Sequence, residues 1–301
     1  MARQITCTNK KNNHSMTFTE DGFNPFLLAS VSGIYDSHNE VEMEDNAIID
    51  GATYQGSTIQ KRNIVLSLLA DPSTDDSFIY NQPVRDDLRV LFQRGIEGEL
   101  IYTENGVSRK INYYTESITR APKGSRLFTI SLLCDNPKFT DTEEQRESIG
   151  NYNRLFEFDH EFPEEGEELE SKSNDRSVNI INDTGIDGIG LTIIIETTFI
   201  VSNPEIYHLE SDKYIKVGEG GSEATALVME AGDILTITTG IGNKHIRLTR
   251  GGTTTEINSK LTDDSEFFQL INGENHISYD SDSGADSMSV TIKYATEYEG
   301  A

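Results

Sequence analysis

Two hydrophobic periods run through this chain, and the organising stretch between Gly51 and Phe139 contains both. In one segment Val84, Leu88, Leu91 and Phe92 fall at i, i+4, i+7 and i+8, a single apolar stripe at period 3.6. Arg85, Asp86, Asp87 and Arg89 take the other faces. Pro83 suits a first helical turn, where a missing N–H costs nothing, and Gly95 suits a C-terminal stop, so the pattern predicts one α-helix over about 83–94. The flanks alternate instead. A strand-like run extends from Ala52 to Asp71, with Ile64, Leu66 and Leu68 pointing one way. Ile111, Tyr113 and Thr115 share a face further on, and Phe128, Ile130 and Leu132 oppose Leu127, Thr129, Ser131 and Leu133. A helix laid across an antiparallel sheet satisfies both periods.

The rest of the chain reads as strand and turn. Residues 3–8 and 14–19 alternate around Lys10–His14 as a hairpin, Phe26 to Ile34 is a third strand, and Asp36 to Asp45 is a polar, acidic loop. Asn136-Pro137 ends the last strand of the organising unit. From Thr140 to Asp175 the composition shifts to 13 acidic against 3 basic residues, part of it linker, with a strand candidate at 153–162. Beyond 176 come VNIIN, GLTIIIETTF, IYHLE, KYIKV, DILTITTG, HIRLTR, EFFQLI, NHISY and SMSVTIKYATEY, separated by Gly, Asn, Asp or Pro. Short strands so spaced predict a β-sandwich or jelly roll. The expected fold is mainly β: an N-terminal antiparallel sandwich or sheet domain with one helix over 1–140, a linker at 141–150 inside the acidic section, and a C-terminal β-sandwich over 151–301.

Charge strengthens that division. The 301 residues carry a net charge of −26, but residues 1–140 hold 14 Lys+Arg against 18 Asp+Glu, whereas 141–301 hold 11 against 33. The second half has nothing to neutralise phosphates, so sequence-specific nucleic-acid binding is not expected. MARQITCTNKK has no apolar signal core and no run approaches membrane-spanning length, so cytoplasmic folding without membrane insertion is the expectation. Cys7 and Cys134 lie in apolar strand contexts without ligand spacing; buried thiols are expected, and pairing is left open.

Several motifs invite chemistry. Asp183-Thr184-Gly185 is the triplet of aspartic proteases, but the neighbouring Asp187-Gly188 reads as another turn, and a polar turn fits better. Asp280, Asp282, Gly284 and Asp286 alternate like a calcium loop. The sixth and twelfth positions are Ala285 and Thr291, so a hairpin loop before Met288 is expected instead. Gly218-Glu219-Gly220-Gly221-Ser222 lacks the lysine of a phosphate loop and reads as a flexible loop. His14, His38, His160, His208, His245 and His276 show no metal-ligand spacing. No catalytic residue, metal site or cofactor is expected. A sugar site would need exposed aromatic rings, and without tryptophan these would be tyrosines such as Tyr207, Tyr214 or Tyr279.

The order of features resembles the distal tail protein (Dit) family of long, non-contractile-tailed bacteriophages. The resemblance rests on Gly51-Ala52-Thr53-Tyr54-Gln55-Gly56, the single helix, and the strand ending Leu132-Leu133-Cys134-Asp135-Asn136-Pro137-Lys138-Phe139. It continues through Asn182-Asp183-Thr184-Gly185, GLTIII, Asn203-Pro204-Glu205-Ile206, Glu230-Ala231-Gly232-Asp233-Ile234-Leu235, Phe267-Phe268-Gln269-Leu270, Gly273-Glu274-Asn275-His276-Ile277 and Tyr294…Tyr298. It implies a structural virion protein rather than an enzyme. The N-terminal domains would form a homohexameric ring at the tail tip, assembled in the host cytoplasm, joining the tail tube protein to a baseplate hub or fibre protein. The C-terminal domain would be a galectin-like or carbohydrate-module-like sandwich that presents a receptor-binding protein or touches host-surface carbohydrate. A carbohydrate-binding module is the alternative reading, and a hydrolase hidden among the carboxylates the third.

Overall fold

In a computed structural model the chain divides into two compact units, Met1–Thr142 with Glu297–Ala301, and Glu143–Thr296. The structure describes residues 3–22, 25–35, 38–46, 50–70, 82–120, 126–149, 152–154, 170–172, 176–220, 222 and 225–301, with backbone alone for 82–85, 152–154 and 170–172. The division differs from the expected one in two places. Residues from Glu143 already belong to the second unit, and the last five residues return to the first.

The first unit is built on one large sheet. Its strands are β1 Gln4–Asn9, β2 Ser15–Thr19, β3 Phe26–Ser32, β6 Arg62–Ala70, β7 Glu97–Glu104, β8 Val107–Arg120, β9 Leu127–Cys134, β10 Phe139–Asp141 and β24 Glu297–Tyr298. Between β3 and β6 lie β4 Asn39–Asp45 and β5 Ala52–Ile59, which pair only with each other among the described residues. The β1–β2 hairpin forms as expected, and all pairs but one are antiparallel, the exception being a single parallel bridge between Thr19 and Leu27. β8 is long enough to change partner: Val107–Tyr114 pair with β7 and Tyr114–Arg120 with β9, which closes the sheet on itself. A bulge between Thr115 and Ser117 accompanies the change, and the inward parity slips there, so that Ile118 packs against the core.

The inward positions are those the alternation picked out. Ile64, Leu66, Leu68, Ile130 and Leu132 are fully buried, and Phe128 nearly so. Each such side chain contributes about 1.5–3 kcal/mol relative to exposure. The helix, α1 Gln82–Leu91, stops three residues short of the expected end. Phe92 continues the turn through its N–H bond to the Leu88 carbonyl, and Gly95 adopts φ +74°. Leu88, Leu91 and Phe92 join the barrel core, where Phe92 lies 6.4 Å from the Phe18 ring and 6.0 Å from Tyr113. The Val84 side chain lies outside the described residues. Buried Asn9 donates to the Val90 and Leu91 carbonyls at 2.8 and 3.3 Å, which supplies partners for the helix C-terminus.

Two N-terminal expectations are corrected. Asp36–Asp45 contains strand β4 rather than only loop: Val41 and Met43 alternate with Glu40, Glu42 and Glu44, and the charge hides the period. The run from Ala52 to Asp71 is two strands, broken at Gln60-Lys61. Cys7 and Cys134 are buried, free thiols; burial raises both, Cys134 to about 12.

The second unit is a two-sheet sandwich. One sheet has the order β11 Gln145–Ile149, β23 Met288–Tyr294, β15 Leu191–Thr197, β19 Ile234–Gly240, β20 Asn243–Arg250 and β21 Thr253–Glu256. The other runs β14 Ser177–Asn182, β22 Gly273–Ser283, β16 Val201–His208 and β17 Lys213–Lys216, with β18 Val228–Met229 beside β16. Ile193, Ile195, Leu235, Ile237, Val290 and Ile292 from the first sheet share one core with Ile206, Ile215 and Ile277 from the second. A short pair, β12 Tyr152–Arg154 with β13 Glu170–Lys172, brackets residues 155–169; most of the strand expected at 153–162 therefore lies outside the described residues.

Three further expectations change here. EFFQLI is not a strand; Phe268 and Leu270 are buried, and Leu270 makes only a bridge to Ile189. The connection after Ser283 is not a hairpin, because β22 and β23 belong to different sheets. SMSVTIKYATEY is split, its last strand pairing with β10 in the first unit.

Candidate functional site

Of the carboxylates singled out in the sequence, Asp280, Asp282 and Asp286 stand in ion pairs and Asp183 lies in a turn. Asp183 is exposed in a turn, where Asn182 Oδ1 accepts from the Thr184 N–H and hydroxyl at 3.3 and 2.8 Å. Asp280 and Asp286 pair with Arg176 at 3.2 and 2.7 Å, and Asp282 pairs with Lys216 at 2.7 Å while accepting from Asn203 Nδ2 at 2.7 Å. Each of these three carboxylates is thus paired with a cation of the chain. Among the described residues no group of three or more His, Cys, Asp or Glu is arranged to hold a metal. Gly218, at the start of the glycine-rich loop, is closely packed: at φ +97°, a Cβ there would lie 2.3 Å from Asn203 Oδ1 and 2.4 Å from the Leu227 nitrogen, whereas a Cβ on Gly220 would meet nothing within 4 Å.

Among the described residues the histidines form no metal-binding group. His14, His38 and His245 lie apart in sequence and sheet, and His160 lies outside the described residues. His245 pairs with Glu256 at 2.5 Å. His208 and His276 do share an environment. His208 is buried against Phe268, with ring centroids 5.1 Å apart, and hydrogen-bonds with Ser211 at 2.7 Å and Asn275 at 3.0 Å. Desolvation holds its pKa below the ordinary histidine value, against the opposing pull of Asn275 and Glu210. Glu210 accepts from the His276 backbone N–H at 2.8 Å and from its Nδ1 at 2.5 Å.

Above this layer lies a groove of about 660 Å³, lined in part by Ser177, Tyr207, Asp212, Tyr214, His276 and Ser278. Its floor is a row across four strands. Ser177 is the register partner of Ser278, Ser278 of Tyr207, and Tyr207 of Tyr214. Because neighbours in a strand point to opposite faces, Ile206, Ile215 and Ile277 go to the core while this row faces out. The Tyr207 and Tyr214 rings stand 5.8 Å apart at 36°. Burial and a hydrogen bond to Glu205 push the Tyr207 phenol up, so it keeps its proton. Of the three tyrosines named from sequence, the structure unites two; Tyr279 is 5% exposed and faces the core. Asp212, Ser177 and Ser278 gave no signal in sequence, and His276 stood out there as one of six scattered histidines and within a family motif, not beside the tyrosines; only the fold brings these residues together.

A second exposed feature belongs to the first unit. In the β4–β5 ribbon nearly every side chain is exposed, including Val41 at 48%, Met43 at 60% and Tyr54 at 59%. Met43 and Tyr54 are register partners.

Comparison with known proteins places this architecture. Residues 188–298 match the model of the siphovirus-type tail component, C-terminal domain. No curated protein matches the chain. Among solved structures, the crystal structure of the SPP1 Dit (gp 19.1) protein, described as a paradigm of the hub adsorption apparatus in phages that infect Gram-positive bacteria, shares the fold. The match has a TM-score of 0.68 and 13% identity, over 98% of this chain and 99% of that one. A chain of the phage P2 baseplate in its activated conformation with Ca also matches, with a TM-score of 0.50 and 11% identity over 100% of both chains. The second unit is thus similar in sequence to the C-terminal domain of siphovirus-type tail components, and the fold of the SPP1 Dit protein is shared along the length of the chain.

Proposed function

We propose that the chain forms a homohexameric ring at the distal end of the tail, assembled in the host cytoplasm, joining the tail tube protein to the hub or fibre protein. The first unit makes the ring and the second is presented outside it; the protein acts as a structural part and not as an enzyme. The observation that carries this reading is the β4–β5 ribbon. An isolated two-stranded ribbon is marginally stable in water, and one that exposes Val41, Met43 and Tyr54 is suited to being covered.

Charge favours a second copy of the chain as the cover. Residues 36–59 contain six acidic and no basic residues, whereas the remainder of 1–140 contains 12 acidic and 14 basic ones. An acidic arm laid on a slightly basic neighbour, repeated head to tail, closes a ring when the rotation allows it.

Light scattering on a sizing column over a concentration series tests this. The expected mass is six chains, and replacing Val41, Met43 and Tyr54 together by serine leaves a monomer with an unchanged melting temperature. A chain that stays monomeric both alone and with the tail tube protein overturns the ring, and a triple variant that still assembles overturns the role of the arm.

A further inference from the structure

We propose that the groove over the Ser177–Ser278–Tyr207–Tyr214 row binds a neutral saccharide one to three rings long, stacked on the tyrosine pair. The proposal goes beyond the ring and does not depend on it.

Four observations carry it. The first is the platform. Tyr207 and Tyr214 are paired across β16 and β17, and their rings face out of a sheet whose other face is the core. Sugars present flat C–H faces, and aromatic rings are the side chains that match them in area while keeping a polar tip.

The second is the surround. The row ends in two serine hydroxyls, and the His276 ring and the Asp212 carboxylate stand at its border. These groups offer both donors and acceptors, as vicinal hydroxyls require. Among the described residues Leu209 is the single large aliphatic side chain that borders the groove, whereas a protein-docking patch centres on a cluster of apolar anchors.

Preorganisation is the third. Glu210 clamps the backbone and ring of His276, the Leu209 N–H donates to the His276 carbonyl at 3.0 Å, and the Asp212 N–H donates to the Leu209 carbonyl at 3.2 Å. The β16–β17 turn is thereby tied to β22 before any ligand arrives, which lowers the ordering cost of binding.

The fourth observation is size and charge together. A volume of about 660 Å³ lies within the range of small-ligand sites. Four strands at their usual spacing make a row of roughly 14 Å, the length of two to three sugar rings. Residues 141–301 carry 33 acidic against 11 basic residues, and Lys213 at the groove is paired with Glu266 at 3.0 Å. That field repels uronates, sulfated glycans and polyol phosphates, leaving neutral sugars as the matching class.

The test uses the full chain on an array of neutral and anionic oligosaccharides, followed by saturation-transfer NMR with the strongest neutral binder. Binding of a neutral oligosaccharide is expected, with signal transfer to C–H protons on one sugar face. Tyr207→Ala combined with Tyr214→Ala should weaken it at least tenfold without changing the melting temperature, and the corresponding double phenylalanine variant should retain most of it. Binding to no neutral glycan, binding to anionic glycans only, or neutral binding untouched by the double alanine variant overturns the proposal. So does a photo-cross-linker at Leu209 that captures a tail protein across the groove in assembled tails.

Discussion

At the residue scale the same letter does opposite work according to which way its strand faces. Tyr207, Tyr214 and Tyr279 all sit in alternating segments, yet two form an outward platform and the third packs in the core. Nothing local distinguishes them; the position of the second sheet does. His208 shows the same effect with a measurable consequence. Its ring is buried, so its folded pKa lies below the unfolded value of about 6.5. As pH falls through that value the unfolded chain takes up a proton before the folded one does. The stability that neutral His208 provides is therefore complete above about pH 6.5 and declines below it, toward the folded pKa. Urea unfolding of the second unit at pH 7, 6 and 5 should show a falling midpoint. In His208→Gln the midpoint should start lower and depend less on pH across that window. Equal slopes in the two proteins would contradict the assignment. Glu210, its neighbour, has a depressed pKa: burial opposes the shift, but hydrogen bonds from His276 win, so its contribution is lost only at more acid pH.

At the scale of elements, strong periodicity was sufficient where it was not disguised. The 3.6-residue stripe located the helix, and Leu88 and Leu91 are buried at 1% and 2% exposure. Leu88→Asp places an unpaired charge in the core at a cost of roughly 3–5 kcal/mol, comparable to the whole stability of many domains. Circular dichroism melts should show the first unit unfolded or severely destabilised while the second still unfolds cooperatively. A variant that melts like wild type would mean the stripe faces solvent. Where the alternation is overlaid by charge, as in Glu40–Asp45, or interrupted by a bulge, as at Thr115–Ser117, the pattern misleads. EFFQLI fails for another reason: apolar residues that fill a core from an irregular segment look like those of a strand.

At the scale of the molecule, the chain passes between its two units twice, and the second passage gives the first unit its last strand. Glu297 pairs with Lys138 at 2.7 Å, and Tyr298 lies 3.5 Å under the Arg109 guanidinium. Buried Arg62 donates to the carbonyls of Gly33, Ile34, Pro137 and Glu299. Removing residues 297–301 takes away one of those acceptors, a cation–π contact and a largely buried ion pair, together worth roughly 2–4 kcal/mol. Calorimetry should show the first unit melting at lower temperature with the second unchanged; an unshifted first transition would show that the terminal segment adds nothing.

The amino-acid sequence by itself determined the mainly β character, the helix, the inward positions of most strands and the uneven charge. All of these follow from side-chain period and composition, which are local properties. It also carried the family resemblance, through the order of its motifs. The closure of the first sheet, the pairing of β4 and β5 with each other alone among the described residues, the crossing from β22 to β23 and the return of the last strand are settled only in three dimensions. The same holds for the single row that Ser177, Ser278, Tyr207 and Tyr214 make. Those features depend on which strands pair and in what register, and register is set by contacts between residues as far apart as Phe139 and Tyr298, which no local period can encode.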